Sequence, residues 1–212
     1  MQRVTRANTR HISGMLQMAS AADITAGLSW YTEAGMLAQR LSDLYGVTHL
    51  QAAGVLAAIS PKMGWKQNCT VGEAMISAFV SGDDALAVPG AGLPAMRRKA
   101  LSILKLTGDD ATDAQTIETI LSGPKITAFF RNITGSESDV TVDGHAYAVW
   151  KGERITTTDT PSIGKALRES IARSYRLVSS RSAELCGEAL TPSQVQAVTW
   201  TTYRRIHGVD RY

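Results

Sequence analysis

Recurrence of apolar residues at three- and four-residue intervals constrains this chain more than any other feature. Between Ala22 and Tyr45, Ile24, Leu28, Tyr31, Leu37, Leu41 and Leu44 share the face of one helix, which Gly46 stops. Thr48 caps a second helix bearing Leu50, Val55, Leu56 and Ile59; it ends where Pro61 disfavours helical geometry at Ser60. Asn68 or Thr70 opens a third helix through Met75, Phe79 and Val80. Pro94 begins a fourth, with Met96, Ala100, Ile103 and Leu104 on one face and Arg97, Arg98 and Lys99 on the other. Asp113 precedes a short fifth over Thr116–Leu121, and Lys125–Thr134 forms a sixth. Ser162 and Pro192 open two long C-terminal helices, near 163–187 and 192–206. The only extended segment, Val140-Thr-Val142, is too short to imply a sheet. The pattern predicts an all-α domain of about eight to ten helices without internal repeats.

Composition excludes several classes. Apolar residues make up 44% of the 212, and the 18 glycines and 6 prolines are scattered, so neither disorder nor low-complexity character is expected. No apolar run approaches the roughly 20 residues that span a bilayer. The basic start lacks an apolar stretch before a cleavage site, so no secretory leader is expected. Cys69 and Cys186 cannot make a disulfide framework or a four-thiolate site, and His11, His49 and His207 have no metal-ligand spacing. A cytoplasmic, reduced, metal-independent protein without a cofactor is the expectation. There is no Walker-type phosphate loop and no Gly-x-Ser-x-Gly elbow.

The net charge of +3 averages an uneven distribution. Residues 1–14 carry Arg3, Arg6 and Arg10 with no acid, residues 15–150 carry 9 basic against 13 acidic residues, and residues 151–212 carry 10 against 6. If the ends meet in space they form one positive surface suited to a phosphate backbone; otherwise they are solvated helix faces.

One constellation stands above this background. Ile120-Leu-Ser-Gly-Pro-Lys-Ile-Thr-Ala-Phe-Phe-Arg-Asn-Ile133 is followed, after a Gly/Ser-containing turn, by Val140-Thr-Val-Asp-Gly-His-Ala-Tyr-Ala-Val-Trp150. Short helix, tight Gly-Pro turn, second helix, brief extended segment and a carboxylate at the next helix start form a recognisable order. It resembles the helix-hairpin-helix/Gly-Pro-Asp superfamily of DNA base-excision glycosylases, the endonuclease III-like enzymes. Their hairpin reads Leu-Pro-Gly-Val-Gly-x-Lys-Thr-Ala, and a Val-Asp-Thr-His segment follows about eighteen residues later; here Lys125 precedes Asp143 by 18 residues, within Val142-Asp143-Gly144-His145. The hairpin has a single Gly123 followed by Pro124, and the four-cysteine cluster of many such enzymes is absent.

The resemblance implies one domain over 1–212: a two-lobed helical fold with a cleft, the hairpin at about 117–134, the catalytic segment at 140–150 and C-terminal helices at about 162–207. It implies duplex DNA with a flipped base as partner, no obligate protein partner, a bacterial or phage-infected cytoplasm, Asp143 as catalytic carboxylate and Lys125 as lyase nucleophile. Gly123, Pro124 and Thr127 would grip phosphate, since a turn exposing N–H groups beside a helix N-terminus attracts an anion. Cleaving an N-glycosidic bond builds positive charge on the sugar, which a carboxylate stabilises. A desolvated lysine amine can instead attack C1′ and form a Schiff base.

Other residues have two readings each. Lys62, Trp65, Lys66, Gln67 and Asn68 supply charge, an aromatic plane and amides where the family places the loop that fills the gap left by a flipped base; alternatively Trp65 packs on the core and Asn68 caps the third helix. His145 and Tyr147 orient the carboxylate or touch substrate, or they buttress the helix start. Gln196, Trp200 and Arg204 share a face at four-residue spacing, suited either to a pocket or to helix packing. Three functions follow: a DNA N-glycosylase; a phage-type transferase that attaches an amine to activated hydroxymethyl-uracil, with Lys125 and Arg131 or Arg204 facing a pyrophosphate leaving group; and a non-catalytic DNA-binding module.

Overall fold

Ala52, Ala53, Gly54, Ala57 and Ala58 leave the second predicted helix without a polar face, and every position from Gln51 to Ile59 is buried. A helix apolar all round belongs inside a protein, and this one, α3 (His49–Ile59), is the centre of a helical unit. The computed structural model describes residues 6–90, 92–156 and 159–208; Arg3 lies outside them. Among the described residues there are eleven α-helices, one 3-10 turn and no strand, so the protein is all-α.

The chain divides into two compact units, one of residues 1–32 and 135–210, the other of residues 33–134 with the last two residues. In the second unit α3 packs against α4 (Trp65–Ser81), α5 (Pro94–Leu104), α6 (Ala114–Leu121), α7 (Pro124–Ile133) and the 3-10 turn Gly108–Thr112. Small side chains permit this close approach. A Cβ on Gly54 would lie 3.0 Å from Ile117 Cγ2 and 3.2 Å from Ile103. Gln51 completes a capping box with Thr48, while its Nε2 reaches the carbonyls of Ile103 and Leu106 at 3.0 Å, satisfying groups exposed where α5 ends.

The first unit assembles α1 (Arg6–Gln17) against α8 (Gly144–Lys151), α9 (Lys165–Ser179), α10 (Ser182–Cys186) and α11 (Pro192–His207). Ile12, Leu16, Val142, Val149, Ile171, Tyr175 and Val198 form part of its core. The first half of α2 (Ala21–Tyr45) also belongs to this unit.

The structure departs from the sequence expectations in three places, and bears out a fourth, that the short extended segment makes no sheet. α1 was not foreseen; Ile12 and Leu16 give it a narrow stripe at one four-residue interval, yet both are fully buried. α4 begins at Trp65 after Gly64, so neither Asn68 nor Thr70 opens it. The expected helix over 163–187 starts at Lys165 after Gly164 and breaks between Ser179 and Ser182, where the Ser179 hydroxyl donates to Leu190 O at 2.6 Å. Val140 and Val142 pair with no strand; they are buried as a loop in the first unit's core.

Gly27 in α2 marks a close approach to α11. A Cβ there would lie 2.4 Å from Val198 Cγ2 and 2.6 Å from the Val198 Cα of α11. Gly27→Ala should therefore lower stability by about 1–3 kcal/mol despite alanine's better helix propensity, measured as a lower urea midpoint at unchanged m-value.

Candidate active site

Asp143 stands at the N-cap of α8, in extended backbone, and its Oδ1 accepts the Ala146 N–H at 2.8 Å. Short polar side chains are preferred there because they satisfy an otherwise orphaned amide, and the helix N-terminus favours their negative charge. Oδ2 lies 3.6 Å from Nδ1 of His145, and the Asp143 side chain is 20% exposed, so the carboxylate is anchored yet reachable.

Arg168 of α9 flanks it. Its Nη1 donates to Val142 O at 2.5 Å and its Nη2 to Ile163 O at 3.1 Å, clamping the residue that precedes Asp143. Its Nε is buried and without a hydrogen-bond partner among the described residues. Burial pulls the Arg168 pKa down, and the Asp143 charge opposes that pull. Tyr31 and Tyr175 lie within reach of the same charge. Burial pushes both phenols well above their ordinary range; the neighbouring hydroxyls of Thr141 at Tyr31 and Thr199 at Tyr175 counter it, and Asp143 reinforces it. The Tyr31 hydroxyl donates to Gln196 Oε1 at 2.6 Å.

Aromatic rings surround this polar group. His145 meets Trp200 edge-on at 6.4 Å and Tyr203 at 5.7 Å, Trp30 meets Trp200 at 5.6 Å, and the Arg204 guanidinium lies 4.5 Å from the centre of the Trp200 ring. All of these residues lie in the first unit. The arrangement holds a carboxylate beside a cation, a histidine and two phenols, next to aromatic planes of the kind on which a nucleobase stacks.

Of the residues singled out by sequence, the structure thus connects Asp143, His145, Gln196, Trp200 and Arg204. Tyr147 lies apart, packed against Trp150 at 6.2 Å; two residues along a helix turn a side chain by about 200°, so it and His145 point opposite ways. Trp30, Tyr31, Thr141, Arg168 and Tyr175 were missed. Tyr31 was legible only as an apolar position of α2, and Arg168 only as one cation among ten after residue 150.

The remaining candidates lie in the second unit. α6 and α7 are joined by Ser122, in the left-handed region at φ 51°, and Gly123, the N-cap of α7. Pro124 is exposed, Lys125 and Thr127 are half-buried, and no side chain caps α7. Lys99, read by sequence only as part of a basic face, bonds Leu121 O and, at 2.6 Å, Ser122 Oγ, bringing a positive charge to this turn. Arg131 makes paired bonds to Glu118 at 2.7 and 2.6 Å, tying α7 to α6. Lys62, Lys66 and Gln67 are exposed, while Trp65 is half-buried and meets Phe129 edge-on at 6.1 Å. Asn68 is 1% exposed and donates to Leu56 O at 3.0 Å, which makes it a tie between α4 and α3 rather than a surface contact.

Among the described residues, no three His, Cys, Asp or Glu side chains gather as metal ligands, and no helix is long and apolar enough to cross a membrane. Over residues 1–207 the chain matches the model of DUF7178, described as a family of unknown function. No curated protein and no solved structure matches it.

Two predictions follow from this geometry. Asp143→Asn keeps a good N-cap and should leave stability nearly unchanged, whereas Asp143→Ala should cost about 1 kcal/mol in chemical denaturation. The raised phenols bind their protons more tightly in the folded chain than in the unfolded one, where the value is near 10. Stability should hold below that pH and fall above it by about 1.4 kcal/mol per pH unit for each phenol. Tyr31→Phe and Tyr175→Phe should each flatten the decline in unfolding measurements at rising pH.

Proposed function

The chain belongs to DUF7178, and we propose that it acts on DNA bases as an N-glycosylase that flips a modified or damaged base and cleaves its glycosidic bond with Asp143. The observation that carries this reading is the anchored Asp143 carboxylate, flanked by Arg168, Tyr31 and His145 and bordered by Trp30 and Trp200. Pulling a base from the stack costs a few kcal/mol, and stacking on aromatic planes offsets part of it. As the C1′–N bond lengthens, its electron pair leaves with the base and positive charge grows on the sugar, opposite the carboxylate. Water then adds at C1′ and gives up a proton, for which Asp143 is the acceptor. Arg168 keeps the segment before Asp143 in place and polarises the site.

The α6–Ser122-Gly123–α7 connection supports a phosphate-gripping hairpin, with Gly123, Pro124, Thr127 and the added charge of Lys99 beside one strand. Lys62, Trp65, Lys66 and Gln67 are the candidates for filling the gap in the duplex. This reading carries with it a two-lobed helix-hairpin-helix fold and a cytoplasmic setting. Lys125 is the candidate lyase nucleophile, its amine attacking C1′ as the base departs.

A second reading is favoured by one observation, the Arg204 guanidinium stacked over Trp200. A cation on an aromatic plane near the carboxylate also suits a transferase, in which Asp143 takes a proton from an incoming amine and Arg204 faces the pyrophosphate leaving group of an activated hydroxymethyl-uracil.

Incubating the protein with duplexes containing uracil, hydroxymethyl-uracil, oxidised purines or abasic sites, followed by nucleoside mass spectrometry, separates the readings. A free base is expected from the glycosylase and a heavier nucleoside from the transferase; no product from any substrate leaves only a binding module. Asp143→Asn should cut product formation by at least about 100-fold while DNA binding persists. Full activity in that variant would overturn the assignment. Borohydride should trap a covalent adduct that Lys125→Ala loses if the lyase step operates.

A further inference from the structure

A concavity of the first unit lies at the opposite end of α8 from Asp143. It has a volume of about 740 Å³, and its walls come from α1, the segment after α8, α10 with the residue before it, and α11. Among the described residues three arginines line it, Arg10, Arg154 and Arg181, together with His11 and His207 and one acid, Glu153. These positive charges come from the two basic ends of the chain.

Little within the protein offsets them. Arg181 meets Glu184 at 3.4 Å, but the two side chains are 68% and 71% exposed, and such pairs are weak. Among the described residues Arg154 donates to the His207 carbonyl, at 3.4 Å, and Arg10 is exposed. Glu153 is itself drawn to Lys151 at 3.6 Å. Cations converging on a concave surface focus a positive potential and raise the local concentration of anions. The floor is bare: a Cβ on Gly14 would meet nothing within 4 Å. At the rim Gly152, at φ +76°, brings backbone against the His11 ring, where a Cβ would lie 2.4 Å from Nδ1.

We propose that this groove binds the phosphodiester backbone of the DNA strand on which the protein acts, an inference that rests on the reading of the chain as a DNA-acting enzyme. One phosphate would not occupy a groove of this size or use three separated guanidiniums; successive phosphates would. The eight residues of α8 span about 12 Å, equivalent to three or four nucleotides of rise along one strand. The groove therefore engages backbone three to four nucleotides from the base that reaches Asp143, and supplies affinity without reading sequence.

The test uses the full chain and a fluorescent 20-base-pair duplex, with anisotropy titrations between 50 and 200 mM KCl. Arg10→Ala/Arg154→Ala/Arg181→Ala should weaken binding about 10- to 100-fold and lower the slope of log K against log salt by about 2–3. Gly14→Asp, which adds a carboxylate to the open floor while leaving every arginine in place, should weaken binding in the same direction. Lys105→Ala/Arg173→Ala, which removes two exposed cations elsewhere, should change affinity less than twofold. Wild-type affinity and slope in both groove variants would overturn the proposal. So would groove-dependent binding of a free nucleoside monophosphate or inorganic phosphate with duplex binding unaffected, since that assigns the groove to a small phosphate ligand. The two readings fail separately: Asp143-dependent product with unchanged DNA binding in the groove variants removes the groove alone. Groove-dependent DNA binding with no product from any substrate removes the catalytic reading alone.

Discussion

The hydrogen bond from the Ala146 amide to Asp143 Oδ1 fixes the candidate site, and the rest of the first unit serves to keep it where it is. A carboxylate that caps a helix cannot swing away without releasing an amide, so its position follows that of the helix. α8 is held in turn by Ala146, Ala148 and Val149 in the core. Arg168 grips the carbonyl of Val142 from α9, and Tyr31 and Gln196 join the first half of α2 to α11. The Asp143 carboxylate thus stands on a helix supported by a second layer of polar bonds, the condition for holding geometry to a fraction of an ångström.

What was legible in the sequence was local. Thr48, Pro94, Asp113 and Pro192 each stand where a helix begins, because caps and first-turn prolines act on backbone groups two or three residues away. Asp143 was singled out by an equally local mark, a carboxylate at a helix start 18 residues after Lys125 in a segment that resembles the glycosylase one. Tyr31 and Gln196, 165 residues apart, leave no such trace, and neither does the reach of Arg168 over 26 residues to Val142 O. Periodicity tells which face of a helix is buried but not what it is buried against. Asn68 illustrates the same limit: an amide that follows Lys62, Lys66 and Gln67 reads as surface chemistry, whereas its carbonyl partner, Leu56, belongs to a different helix.

The uneven charge acquires a physical sense from the packing. α1 meets α10 and α11 within one unit, so Arg10 faces the same groove as Arg154 and Arg181 although well over a hundred residues separate them in the chain. The basic ends are a single feature there. Arg97, by contrast, bonds the carbonyls of Val88 and Gly90 and holds the segment before α5. Equal formal charges in a sequence carry unequal meanings, depending on whether the backbone has already claimed them.

The interruption of the first unit by the second has a consequence for synthesis. Residues 33–134 are contiguous, and their contacts link helices close in the chain, so that stretch can fold before α8, α9 and α11 have been made. α1 must then wait for α8, α9 and α11, more than 120 residues behind it. At roughly 5–20 residues per second this is a delay on the order of ten seconds. During it Ile12 and Leu16 lack their partners on α8, α9 and α11, and the unit that carries Asp143 closes last, over the longest loop in the chain.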